Sequence, residues 1–207
     1  MTNPSKILRL GILISGRGSN MIALSDGVKQ GQIPGAEIAL VVSDHPGAAG
    51  LTRAAEHALE TMVIARGNHT REEHEQQIVA ALSCHKIDLV CLAGYMRLLS
   101  RYFVDAYRGR ILNIHPSLLP AFPGLAAQRQ ALDHGAKWSG CTVHFVDETL
   151  DGGPIVAQSI VPVLDDDSEE SLSARILEQE HRLYPEAVAF IVRGEYEVVG
   201  RRVLSTQ

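Results

Sequence analysis

Leu8-Arg9-Leu10-Gly11-Ile12-Leu13-Ile14-Ser15, running directly into Gly16-Arg17-Gly18-Ser19-Asn20, is the stretch that decides the fold. Eight residues rich in aliphatic side chains make a strand, and the two glycines behind them permit a tight turn into a helix. Working outward, Ala36–Ser43, Thr61–Ala65 and Asp88–Ala93 are further short apolar runs, separated by segments long enough for helices. Strand, crossover, strand is the rhythm of a parallel sheet. Between the third and fourth runs, Thr70 can cap a helix over Arg71–Ser83 while Glu73 reaches back to complete a capping box.

Arg110–Ile114 reads as a fifth strand, followed by a Pro-rich loop, a short helix near Ala126–His134, and strands near Cys141–Val146 and Pro154–Val163. A long helix is expected from Asp167 or Ser168, because Glu169 and Glu170 suit its positive end and Leu172, Ile176 and Leu183 have helical spacing. The expectation is a single α/β domain over residues 7–207, with a mostly parallel Rossmann-like sheet and helices on both faces, after a flexible tail over residues 1–6. Open sheets of this kind bind ligands beyond the carboxyl ends of their strands, where Ser15, Asn113 and His115 all fall.

Length and composition agree with one globular domain. A chain of 207 residues can bury roughly 70% of its unfolded surface in one core. Its 45% hydrophobic and 21% charged residues are ordinary for a folded protein, and a net charge of −5 argues against non-specific nucleic-acid binding. The apolar run Ile7–Ile14 is too short to span a membrane, and no cleavage site follows it, so a cytoplasmic location is expected. Cys84, Cys91 and Cys141 lack the paired spacing of zinc and redox sites and read as buried, inert thiols. The nine histidines form no helical His-x-x-x-His pair or His/Cys cluster, so no metal is expected.

Gly16–Asn20 offers bare backbone amides at the start of a helix, a place for an anion such as phosphate. It is neither a dinucleotide fingerprint, since Met21 stands where a third glycine belongs, nor a P-loop, since the Gly-Lys-Ser/Thr ending is missing. Asp44, after the second strand, reads as a surface turn residue beside His45-Pro46-Gly47. The alternative is the ribose-binding acid of a dehydrogenase.

Asn113 and His115 alternate with Leu112 and Ile114 along their strand, so both polar groups project to one face. Either alone has a structural reading, but an amide and an imidazole side by side must both be engaged to be buried without cost. Asp151 precedes Gly152-Gly153, which allows close backbone approach. An amide, an imidazole and a carboxylate can hold an oxyanion, move a proton and tune the proton mover, which points to acyl transfer.

Ser15-Gly-Arg-Gly-Ser-Asn20, Ala93-Gly-Tyr-Met-Arg-Leu98, Asn113-Ile-His-Pro-Ser-Leu-Leu-Pro120, Gly140-Cys-Thr-Val-His144 and Leu150-Asp-Gly-Gly-Pro154 together resemble the phosphoribosylglycinamide formyltransferases of purine biosynthesis, in that family's order and over nearly the whole chain. The resemblance implies a formyltransferase domain that passes the formyl group of 10-formyltetrahydrofolate, a co-substrate and not a tightly bound cofactor, to the amine of glycinamide ribonucleotide. Asn113 would hold the oxyanion, His115 would act as acid and proton shuttle, and Asp151 would orient His115. Gly18, Ser19 and Asn20 would meet the substrate phosphate and Glu180 its ribose side. Arg71, Met96, Arg97, Leu98, Leu99, Asn113, Asp147 and Asp151 match folate-site positions, although Arg71 alone is a first-turn helix residue and Met96 and Leu98 alone read as core.

The chain departs from some relatives at Ala126 and Gln128, where histidines are common, and at Leu177, where some place a polar phosphate contact. The expected partners are these two small molecules, with no nucleic acid and no membrane, in a monomer or homodimer. Two alternatives stay open: a hydrolase that passes the formyl group of formyltetrahydrofolate to water, and a non-catalytic Rossmann-type nucleotide-binding domain.

Overall fold

A computed structural model of the chain describes residues 6–206, so the expected N-terminal tail lies, apart from Lys6, outside the described residues. Nine strands, β1 (Leu8–Ile14), β2 (Ala36–Ser43), β3 (Thr61–Val63), β4 (Leu89–Leu92), β5 (Ile111–His115), β6 (Trp138–Phe145), β7 (Ile155–Pro162), β8 (Tyr196–Val199) and β9 (Arg202–Ser205), form one sheet in the order β3-β2-β1-β4-β5-β6-β7-β9-β8. The first five are parallel, β6 runs antiparallel between β5 and β7, and β8 and β9 close the far edge as a hairpin. The hairpin carries no signal that the sequence reading used. Its strands are short and half-exposed, and only Ile155↔Arg202 joins it to the rest of the sheet.

Six helices flank the sheet: α1 (Ser19–Lys29), α2 (Ala49–Glu56), α3 (Arg71–Cys84), α4 (Arg101–Ala106), α5 (Ala127–Asp133) and α6 (Glu169–Arg193). Thr70 and Glu73 form the expected capping box, with Glu73 N–H donating to Thr70 Oγ1 at 3.2 Å and Thr70 N–H to Glu73 Oε2 at 2.8 Å. Ser168 caps α6, accepting from Ser171 N–H at 3.2 Å.

Strand alternation divides the core into two halves. Leu10, Ile12, Ile14, Leu112, Ile114, Cys141, Val143 and Phe145 face the side covered by α1, α5 and α6, while Leu13, Leu40, Val42, Val90 and Ile111 pack against Ile78 and Leu82 of α3 and Phe103 of α4. On this second side the apolar cluster stops at Ile111. The next positions on that face of β5 and β6 are Asn113, His115, Thr142 and His144.

Cys91 and Cys141 are buried, and burial pushes both thiols up to about 12, which makes them inert. Cys84 departs from expectation: it is exposed at the last position of α3. Among the described residues no helix is long and apolar enough to cross a membrane.

Tyr184, fully buried in α6, donates its hydroxyl to the carbonyls of Leu92 at 3.0 Å and Leu112 at 3.1 Å. It therefore pins α6 to β4 and β5 directly behind Asn113. Tyr184→Phe should lower unfolding stability by about 1–2 kcal/mol, the worth of a buried hydrogen bond. Denaturant titration should show a lower midpoint with an unchanged slope.

Candidate active site

The polar face begins with the pairing of β5 and β6, which sets Asn113 opposite His144 and His115 opposite Thr142. Directly opposed side chains on one face of an antiparallel pair lie within contact distance. Asn113 Nδ2 donates to His144 Nε2 at 3.1 Å, and His144 Nδ1 lies 2.8 Å from the Phe145 carbonyl. A carbonyl only accepts, so Nδ1 carries the proton and the neutral ring presents Nε2 as the acceptor. Burial lowers the His144 pKa, outweighing the Phe145 hydrogen bond and the Asp151 charge, and so keeps the ring in that form. One hydrogen of the Asn113 amide is thereby fixed, leaving the second for a ligand.

His115 is 5% exposed. Its Nε2 lies 2.9 Å from the Phe122 carbonyl, and its Nδ1 is 3.5 Å from Asp151 Oδ2. The ring thus stands between two acceptors, one facing each of its nitrogens. The 116–125 loop that carries Phe122 is itself tied down. Thr142 Oγ1 donates to the Ser117 carbonyl at 2.7 Å and accepts from Leu119 N–H at 3.0 Å, while Ser117 Oγ donates to the Ala121 carbonyl at 2.6 Å.

Asp151 joins these parts. Its backbone is left-handed, φ 48°, a conformation that Asp adopts more readily than most residues. Its Oδ2 accepts from Gly124 N–H at 2.8 Å, and its Oδ1 is 3.8 Å from His144 Nε2. One carboxylate therefore touches both imidazoles and the loop above them. The turn that delivers it requires Gly153, where a Cβ would sit 2.0 Å from the Phe145 carbonyl oxygen.

At the carboxyl end of β1, Gly18 begins α1 with φ 70°, and no side chain caps the helix. A Cβ on Gly18 would lie 2.8 Å from Gly50 Cα, and Gly50 N–H donates to the Gly16 carbonyl at 2.9 Å, so the loop lies directly on the start of α2. The amides of Ser19 and Asn20 are left to meet an anion. Asn20 Nδ2 donates to Glu180 Oε2 of α6 at 2.7 Å. Burial pushes the Glu180 carboxyl above its ordinary value, opposed by that hydrogen bond and by the charge of Arg17.

A cleft of about 190 Å³ lies beside the 94–99 segment, lined by Arg66, Arg71, Tyr95, Met96, Arg97 and Leu98 among others. Met96 N–H donates to Ser15 Oγ at 2.9 Å, which joins this segment to the end of β1. Met96 and Leu98 are 72% and 57% exposed, so neither is core, whereas Leu99 packs on the apolar cluster beneath. The reading of Asp44 as a surface turn residue is overturned: it is 7% exposed and ion-paired with Arg97 Nε. Asp147 stands apart from this cleft. It accepts from Thr149 N–H at 2.7 Å and lines a separate groove with Phe145 and Tyr196.

His144 and the Asp44–Arg97 pair are the site features that the sequence reading did not assign. Polar Thr142 and His144 alternating with buried Cys141 and Val143 carried a signal for the first. Nothing local announced the second. Among the described residues no group of three or more His, Cys, Asp or Glu could hold a metal ion.

Residues 8–188 match the formyl transferase family. The phosphoribosylglycinamide formyltransferase of Escherichia coli is 42% identical over 92% of this chain and 90% of its own length. The trifunctional purine biosynthetic protein adenosine-3 of Drosophila melanogaster is 48% identical over 90% of this chain, which spans only 14% of that much longer protein. The crystal structure of glycinamide ribonucleotide transformylase 1 from Symbiobacterium toebii superposes with a TM-score of 0.95 at 47% identity, covering 99% of this chain and 96% of that one. With a family match over most of its length and relatives alike in both sequence and fold, the chain belongs to the formyl transferase family, alongside its phosphoribosylglycinamide formyltransferases.

Proposed function

We propose that the protein transfers the formyl group of 10-formyltetrahydrofolate to the amine of glycinamide ribonucleotide, giving N-formylglycinamide ribonucleotide and tetrahydrofolate, as a cytoplasmic step of purine biosynthesis. The observation that carries this reading is the cluster of Asn113, His115, His144 and Asp151 on one polar face. The same carboxyl edge of the sheet carries an uncapped, glycine-entered helix and, joined to the end of β1 through Met96, an arginine-bearing cleft. Residues 7–207 would form one formyltransferase domain.

In this reading the substrate amine attacks the formyl carbon, and the carbonyl oxygen gains the charge that the free Asn113 amide hydrogen receives. Collapse of the tetrahedral intermediate breaks the bond to the folate nitrogen. That nitrogen takes a proton from His115, and the attacking amine gives one up through the same imidazole, so protons balance over the cycle. Asp151 holds His115 in place. Gly18, Ser19 and Asn20 receive the substrate phosphate and Glu180 its ribose. Arg71, Met96, Arg97, Leu98 and Leu99 receive the folate, with Asp147 and Asp151 on its other flank. Two binding sites flanking one proton mover favour transfer over hydrolysis.

Incubating the protein with both substrates and following tetrahydrofolate release tests the reading. Release that does not depend on glycinamide ribonucleotide would point to a hydrolase. Asn113→Ala should cost on the order of 2.7–4 kcal/mol in turnover while KM for either substrate changes little, because an oxyanion donor acts chiefly in the transition state. Near-normal turnover would show that the oxyanion is held elsewhere. Asp151→Asn keeps the shape and removes the charge, and kcat should fall by about 10²–10⁴. Equilibrium titration with a folate analogue should show binding largely retained in that variant.

A further inference from the structure

Arg17 stands between the two glycines of the β1–α1 loop, exposed, and makes no hydrogen bond or ion pair among the described residues. An arginine held in a tight glycine turn without a bonded acid is a cation still able to bond an anion. Its charge reaches across to α6, where it acts on both Glu180 and His181.

Two buried polar atoms in this corner lack a partner: Asn20 Oδ1 and His181 Nε2. Asn20 is 7% exposed, and its amide nitrogen is already committed to Glu180. Buried polar atoms are normally satisfied, so an unpartnered Asn20 Oδ1 in the first turn of α1 marks a place for a polar guest. The nearby α6 supplies no free cation to that guest. Leu177, one helical turn before Glu180 and His181, is apolar, and Arg175 is held by Asp167 at 2.7 and 2.9 Å. Arg182 lies two residues from Glu180 and so on another face.

A phosphate placed on the uncapped start of α1 would meet backbone dipoles but also the carboxylate of Glu180. The helix end offers only about half a positive charge, less than a phosphate dianion needs beside an acid. A planar guanidinium with paired donors supplies the remainder.

We propose that Arg17 is the charged contact to the phosphate of glycinamide ribonucleotide, and that it sets the preference of this site for a phosphorylated substrate. The proposal rests on the functional reading above, which assigns the phosphate to this loop. Because Arg17 is exposed and unbonded, replacing it leaves the fold in place, as circular dichroism would verify. Arg17→Ala should raise KM for glycinamide ribonucleotide by about 10- to 100-fold, the worth of hydrogen bonds to a charged group. KM for 10-formyltetrahydrofolate should stay as it was. Inorganic phosphate, used as a competitor against glycinamide ribonucleotide, should lose potency in parallel, and Arg17→Lys should recover part of both losses. Arg53→Ala, which removes an exposed cation of α2, should leave KM unchanged.

Unchanged KM and unchanged phosphate inhibition in Arg17→Ala would overturn the assignment, as would an equal effect of Arg53→Ala, which would reduce Arg17 to part of a general field. If the unaltered protein failed to formylate glycinamide ribonucleotide, the functional reading would fall; if it did so while remaining indifferent to Arg17, only this inference would.

Discussion

The antiparallel register of β5 against β6 is the constraint on which the site depends. It sets Asn113 directly opposite His144 and His115 opposite Thr142. Because side chains alternate along both strands, the apolar partners Leu112, Ile114, Cys141 and Val143 must then face α6. A slip of one residue would bury Asn113 and His115 beneath that helix and expose the apolar set. The register is held by the apolar side, where Leu112 and Ile114 of β5 share one buried cluster with Cys141 and Val143 of β6, and Tyr184 anchors β5 to α6 through the Leu112 carbonyl. Packing on one face of the sheet thus fixes chemistry on the other.

The polar face lies where the helical cover runs out. The cluster formed with α3 and α4 ends at Ile111, and the polar residues beyond it are roofed by the 116–125 and 147–154 loops instead of a helix. Loops can approach a strand more closely than a helix can, but only where the backbone allows it. Gly153 is such a place, since any Cβ there would overlap the Phe145 carbonyl, and Phe145 N–H in turn donates to the Pro154 carbonyl at 2.9 Å. This close return puts Asp151 within reach of His115 and His144 together.

Much of this was legible in the sequence where the signals are local. The β1 run with its glycine turn, the capping box at Thr70, and the alternation that sends Asn113 and His115 to one face all rest on neighbours a few residues apart. What escaped depends on partners distant in the chain. His144 gains its role only from Asn113, 31 residues away, and Asp44 from Arg97, 53 residues away. His45-Pro46-Gly47 gave a sound local argument for a surface turn, yet the arginine brought over it by the 94–99 segment buried Asp44. The β8–β9 hairpin escaped for a different reason, since short strands with mostly exposed side chains show little alternation to read.

The Asp44–Arg97 pair also bears on how the protein distributes its charge. The chain is acidic overall, at −5, yet arginines line the cleft beside the 94–99 segment and stand in the β1–α1 loop. Their availability to anions differs. Arg97 is matched by Asp44, so it shapes the cleft and adds little net charge there. Arg66 spends one donor on the His69 carbonyl at 3.1 Å, but neither it nor Arg71 or Arg17 forms an ion pair among the described residues. Unpaired cations at the rims of a concave face draw anions inward against an otherwise repelling surface. Several acids are engaged elsewhere: Asp167 holds Arg175 and Asp105 holds Arg108, while Glu180 is drawn into a hydrogen bond with Asn20. Which arginines are paired, more than how many there are, therefore decides where an anionic substrate can settle.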